Sequence, residues 1–313
     1  MVQADTYTNP NFMGELFQLT PTETPFLSMI GGLTGGIPTT SEEFTWQSDD
    51  LPAAGQNTVL EGADPTFTNR LRTDYSNVCQ ILQKGIEVTY TKQAAIGSLG
   101  TPASRAMAAA SIIGDQPVAD ELSHQLMLKT MEAARDTEFS FIEGVYQRPT
   151  TNATDRQTRG IIPAITTNSV NATATPNDTK THFLALVKLM ADSGARFLNP
   201  VVMVNSFQKQ QFTAGFTFAP EDRNVGGVNL KVLETDFADF GVIYNRHVPA
   251  ATALVVDVAF CAPVFLEIPD KGHFFAEELA HTGSSWKWQL YGEVGLRYGP
   301  EIYHGKVINL ATS

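Results

Sequence analysis

Cysteine is nearly absent: Cys79 and Cys261 are the only two in 313 residues. Two thiols cannot make a disulfide framework, and no CxxC spacing offers a metal site, so buried free thiols are the plainer reading. Long apolar runs are missing as well. None approaches the ~20 residues that cross a bilayer, and no membrane partner is expected. The opening Met-Val-Gln-Ala-Asp has no basic region and no sustained apolar core, so no secretory leader is expected and synthesis in the cytoplasm is. The sequons at Asn152, Asn171 and Asn177 then read as chance matches in a Thr-rich chain.

Charge is scarce. Charged residues make up 17% of the chain, below the usual quarter, so much of the surface is neutral polar or covered by something else. Basic residues are scarcest of all. Residues 1–69 contain no Lys or Arg and carry nine acids, a net −9 out of the chain's −12. Tight binding to nucleic acid depends on Lys and Arg against phosphate, so it is disfavoured, and sequence-specific DNA recognition is not expected.

Catalytic patterns are missing too. The six histidines (His124, His182, His247, His273, His281, His304) share no HxxxH or HExxH spacing, and read as solvated or packed. The acid pairs Glu42–Glu43, Asp49–Asp50 and Glu277–Glu278 are adjacent, so on a strand they point to opposite faces and make poor acid–base partners. There is no GxSxG, and the glycine pairs at 31–36 lack the Gly-Lys-Ser/Thr ending of a phosphate loop. No catalytic residue, cofactor or metal is expected.

What is present has a clear order. Residues 1–50 read as an arm: Pro10, Pro21, Pro25, Pro38 and two Gly-Gly pairs leave no regular element of useful length. Phe26, Leu27, Met29 and Ile30 are nonetheless too apolar for a free tail. Residues 55–95 read as a hairpin-like ribbon, with Val78, Ile86, Val88 and Tyr90 at strand spacing and a bulge signal at Gly85. The ribbon is locally basic, through Arg70, Arg72, Lys84 and Lys92. Arg70 and Arg72 are expected on one strand face, set either against an acidic arm or on a solvated edge.

A long helix is predicted at about 117–147, with Asp115 and Pro117 at its start and Gly144 at its close. Its apolar positions read as Met131, Ala134, Phe139, Ile142 and Val145. An α/β pattern follows the 150–180 loop. Helices are expected at 181–193 and after Ser206, and strands at 201–204, 229–235, 241–247, 253–260, 263–268, 273–279, 285–298 and 302–310. Trp286 and Trp288 share one face of the last long strand, where packing is the expected role.

Several stretches resemble a known family in wording and in order: TPTETPFLSMIGGL (20–33), EEFTWQSDDL (42–51), LEGADPT (60–66), NVCQIL (77–82), TRGI (158–161), LETDFADFGVIYNRHVP (233–249) and ELAHTGSSWKWQLYGEVGLRY (278–298). They are similar to the major capsid proteins of tailed double-stranded DNA bacteriophages, a podophage-like family with the Hong Kong 97-type fold. The resemblance covers about residues 8–310. It implies an α+β fold with an N-terminal arm (1–50), an extended loop (51–97), a peripheral domain (98–150 and 265–313) built on the long helix, and an axial domain (151–264). The implied partners are copies of the chain itself in pentamers and hexamers, a separate scaffolding protein, a portal protein and optionally a decoration protein, around enclosed DNA. The chain shows no coiled-coil scaffold extension, which is why scaffold is expected as a separate protein.

The residues expected to touch neighbouring copies are Phe26, Leu27, Glu42, Glu43, Arg70, Arg72 and Lys84. Two other readings stand beside the shell. One is an encapsulin-like nanocompartment of the same fold. The other, of a different class, is a β-rich carbohydrate-active enzyme or adhesin, which needs a carboxylate pair or aromatic platform that the sequence does not display.

Overall fold

A computed structural model describes residues 19–94, 121–151, 153–216 and 222–312. In chain order, its first elements are α1 (Pro25–Ile30), β1 (Ile37–Thr39), β2 (Glu43–Ser48), β3 (Thr73–Val78), β4 (Gln80–Thr89) and α2 (Tyr90–Ala94). Then come α3 (Glu121–Glu143), α4 (Ile161–Ala164), β5 (Ser169–Asn171), α5 (Thr179–Asp192), β6 (Pro200–Val204), α6 (Ser206–Gly215), β7 (Asp222–Val225) and β8 (Val228–Glu234). The last are β9 (Asp239–Tyr244), β10 (Ala253–Asp257), β11 (Ala262–Leu266), β12 (Phe274–Glu278), β13 (Ser285–Arg297) and β14 (Gly305–Ile308). The described chain divides into two compact units, a larger one from 24–82, 134–275 and 292–312 and a smaller one centred on 83–94, 121–133 and 276–291.

The larger unit is organised by a seven-stranded sheet of order β5-β14-β10-β6-β9-β8-β7. Strand β6 lies in its middle, parallel to β9 and antiparallel to β10. Its sequence, Pro-Val-Val-Met-Val, is buried throughout. Alternate side chains of a strand enter opposite layers. Val201 and Met203 accordingly pack with Leu254, Val256, Phe141 and Ile142. Val202 and Val204 pack with Val255 and with Phe183, Leu186, Met190 and Phe212 of α5 and α6. A strand covered on both faces has to be apolar on both, which is why this run shows no polar alternation.

The flanking helices start where capping residues stand. The Asp178 carboxylate accepts the Thr181 N–H at 3.0 Å, and the Asn205 side chain accepts the Gln208 N–H at 2.9 Å. The second cap lies one residue before the expected Ser206. The expected division put 265–313 with 98–150, yet β14 inserts between β5 and β10, because Val307 belongs to the same apolar layer as Val255.

Two smaller β assemblies complete the larger unit. Strand β1 runs parallel to β11, and β11 antiparallel to the second half of β13. Strands β2 and β3 form a separate ladder, from Glu43 opposite Val78 to Ser48 opposite Thr73. The ribbon was expected within 55–95, and the pairing corrects that. Residues 49–72 carry no strand, and Arg70 and Arg72 lie before β3 rather than on one of its faces. In the smaller unit β4 and β12 flank the first half of β13, with Tyr90 N–H donating to Ser284 O at 3.1 Å and Leu279 N–H to Lys287 O at 2.8 Å.

The long helix is described from Glu121 to Glu143, and its expected start with Asp115 and Pro117 lies outside the described residues. It ends at the predicted glycine, after which Gln147 bridges to Gln157. Its buried face differs from the expected one. Phe139 is 49% exposed, whereas Glu138 is fully buried beside Phe141 and Ile142.

Candidate assembly interface

The arm meets its own chain. Residues 25–30 form a one-turn helix despite the surrounding prolines and glycines, with Pro25 in the first turn where its missing N–H costs nothing. Phe26 and Leu27 are fully buried among Met203, Leu230, Ile161 and Phe265. Both side chains are thus packed within the subunit itself. Gly36 follows at φ +144°, where a Cβ would come within 2.6 Å of the Pro263 carbonyl oxygen, so only glycine lets β1 lie down on β11.

The β2–β3 hairpin is clamped at its root. Asn77 is buried, and its Nδ2 donates to Leu296 O at 2.7 Å and Arg159 O at 3.1 Å. Its Oδ1 accepts from Val78 N–H at 2.9 Å and Arg159 N–H at 2.8 Å. Arg156 forks to Glu42 and Glu293, both at 3.0 Å, and Arg148 meets Glu43 at 2.8 Å. Trp46 donates Nε1–H to Gly299 O at 3.0 Å and packs its ring edge-on to Tyr298, with Phe44 and Tyr75 stacked alongside. Glu42 and Glu43 thus have partners in their own chain.

Beyond the root the hairpin is bare. Arg72 pairs with Asp49 at 3.4 Å and with Gln47 at 3.3 Å, closing the neck of the loop. Arg70 makes no ion pair among the described residues. Leu51, Val59, Leu60, Phe67 and Leu71 are each 79–91% exposed. Five large apolar side chains on one solvated loop are far from what an isolated surface presents by chance, and mark it as a surface made to be covered.

In the smaller unit Lys84 pairs with Glu132 at 2.9 Å and Lys92 with Glu121 at 2.6 Å. Hydrogen bonds from Lys129 and then Lys84 hold the Glu132 carboxyl below its ordinary range. The Tyr90 ring packs edge-on to Trp286, the packing role expected of that tryptophan. Lys84 therefore also has its partner within the subunit. Of the seven residues expected at contacts between copies, Arg70 alone is exposed without an internal ion pair or burial among the described residues.

Sequence reasoning missed Asn77, Glu138 and Arg156. The first two carry a signal, a polar residue set on an otherwise apolar face, whereas Arg156 lies in a polar loop and carries none.

Arm, clamped hairpin, bare loop, long helix and a mixed sheet with helices on both faces are the parts of a Hong Kong 97-type shell subunit. Solved structures with the same fold include the capsid of a native GTA particle, at TM-score 0.62 and 12% identity over 99% of this chain and 98% of that one. The cyanophage A-1(L) capsid matches at TM-score 0.62 and 10% identity over 97% of each chain. The SrpI encapsulin of Synechococcus elongatus matches at TM-score 0.59 and 10% identity over 97% of this chain and 93% of that one. The SU10 major capsid protein family model matches residues 2–311, and the chain belongs to that family. No curated protein matches it. The chain is a capsid-forming protein of a bacteriophage shell.

Proposed function

We propose that copies of this chain form the pentamers and hexamers of an icosahedral head around double-stranded DNA, each subunit laying its 49–72 loop on the next. The observation that carries this reading is the contrast within one hairpin. The root is fixed by Asn77, Arg156 and Trp46, while the tip exposes Leu51, Val59, Leu60, Phe67 and Leu71. Burying a side chain of this size is worth about 1.5–3 kcal/mol. Repeated at every contact around a closed shell, such modest gains add up through multivalency. Arg70, which makes no ion pair among the described residues, supplies the charge at that contact, facing acidic side chains of a neighbour.

Residues 98–150 with 265–304 act as the peripheral part and the seven-stranded sheet as the axial part. The implied partners are a separate scaffolding protein, a portal protein and optionally a decoration protein. The chain works through its interfaces and not as an enzyme.

Electron microscopy of the expressed chain, alone and with scaffolding protein, tests the proposal. Closed shells are expected, and monodisperse monomers under every condition would overturn it. An encapsulin-like compartment would use the same loop. It is told apart by what co-purifies with the shell, duplex DNA for a phage head or a cargo enzyme for a compartment.

A further inference from the structure

Glu143 is the last residue of the long helix α3, half-buried on the wall of a cavity of about 420 Å³. Its side chain makes no hydrogen bond or ion pair among the described residues. Burial pushes its carboxyl up, and no neighbouring donor or cation opposes that rise. The other polar groups of the cavity are already used. The Asn205 side chain caps α6, and the Arg246 guanidinium lies 5.4 Å from the Tyr244 ring centroid, engaged within the subunit. Burial first, then Arg135 and Arg246, push His247 down against the pull of Asp136, so its ring brings no charge. That ring meets the half-exposed Phe139 edge-on, and Pro249 lines the apolar side with them. A carboxylate drawn out of water with neither donor nor cation is costly, and Glu143 is the one group here left to be satisfied.

The hairpin carries the matching piece. Arg70 makes no ion pair among the described residues, and it lies between Phe67 and Leu71, both almost fully exposed. It stands two residues from Arg72, whose pairing with Asp49 closes the neck of the loop. A side chain so near a fixed root has less freedom to lose on contact than one at a mobile tip.

We propose that this cavity is a socket for a second copy of the chain: Arg70 of one copy pairs with Glu143 of the next, while Phe67 and Leu71 cover the apolar wall at Phe139. The assignment rests on the loop being the contact between copies, and names where that loop lands. A guanidinium fork offers a carboxylate two parallel N–H donors, and flanking apolar side chains shield such a pair from salt. Glu143 gains the donors it lacks, and Arg70 gains an acceptor. The cavity has the volume of a small-ligand pocket, room for a guanidinium with an apolar side chain beside it.

A charge swap in the full-length chain tests the pairing. It is read by sedimentation and electron microscopy under conditions in which native subunits close into shells, with scaffolding protein where native shells require it. Arg70→Glu and Glu143→Arg are each expected to raise the concentration needed for shells more than about tenfold, because each sets like charges together. Combined in one chain, they are expected to bring it back to within about threefold of native. The socket is overturned if the combined variant assembles no better than the single ones, or if Glu143→Arg assembles like native. Should Glu143→Arg not fold, a cycle of Arg70→Gln and Glu143→Gln decides: the two together are expected to cost no more than one alone, and additive costs overturn the socket. The double variant Leu60→Asp, Phe67→Asp separates this assignment from the reading on which it rests. If that variant assembles normally, the loop is not the contact and the socket falls with it. If it fails while the swap gives no rescue, the loop lands elsewhere and the socket alone falls.

Discussion

Asn77 sits fully buried between three segments, and its amide meets backbone groups of β3, of the loop at Arg159 and of β13. Asn77→Ala leaves buried backbone groups without partners, at about 1–3 kcal/mol each before any relaxation. A loss of about 3 kcal/mol is expected in urea unfolding. Asn77→Asp is expected to be worse, because a carboxylate would face two carbonyl oxygens and has no N–H to donate. Little change in midpoint for both variants would remove Asn77 as the anchor. His304 is the second residue whose chemistry is fully used. Its Nε2–H donates to Tyr298 O at 2.5 Å and its Nδ1 accepts the Asp257 N–H at 3.2 Å, so the ring is held neutral. Burial first of all pushes its pKa down, against the pull of the Tyr298 carbonyl, Asp257 and Glu301. A depressed folded pKa gives stability that is present above the ordinary histidine value and lost as pH falls below it. The urea midpoint of His304→Gln is therefore expected to fall less than the native one between about pH 7.5 and pH 5.5. Glu138, whose carboxyl burial pushes up to about 7, works in the opposite direction over part of this range, and comparing the two proteins at each pH cancels it. Equal falls would discard the role of His304.

On the proposed reading, the hairpin is the element that turns these anchors into a contact between copies. Its root is stiff and its tip carries apolar side chains that nothing in the described subunit covers. The double variant Leu60→Asp, Phe67→Asp is thus expected to leave the unfolding free energy within about 1 kcal/mol of native, as surface changes do, while abolishing shell formation in sedimentation. Arg70→Glu is expected to weaken assembly more gently and in a salt-dependent way. Normal shells from the double variant would mean that the loop is not the contact. This element also marks how far the sequence could be read. Strand β7 is not among the expected strands, whereas helix α5 and strands β6 and β8 to β14 follow from local apolar pattern, capping and turn signals. The β2–β3 ladder does not, because its strands are separated by a loop with no pattern, and pairing partners are a property of the assembled root. The same holds for Phe26 and Leu27, read as anchors: within the subunit they pack into its core, and the cap of their short helix comes from Glu138, far away in sequence. Glu138 and Phe139 are neighbours on one helix, and only the docking of α1 decides which of them faces inward.

For the molecule as a whole, scarcity of charge is itself a device. A shell that encloses a polyanion at high density must hold it without gripping it. Phosphate contacts through Lys and Arg dominate nucleic-acid affinity, so a net −12 chain with only 21 basic side chains has little to offer. Many of those side chains are also committed elsewhere: Arg156, Arg148, Lys84, Lys92 and Lys129 sit in ion pairs of the subunit. The remaining asymmetry, nine acids and no base in residues 1–69, gives that stretch no cation with which to hold duplex DNA. The unassembled chain is therefore expected to bind a labelled duplex more weakly than the ~10 µM scale at physiological salt, and to gain little on dilution to low salt. Fluorescence anisotropy measures this directly. A submicromolar affinity with a steep salt slope would instead reveal a basic surface that the packing described here does not provide, and the separation between enclosing DNA and binding it would fail.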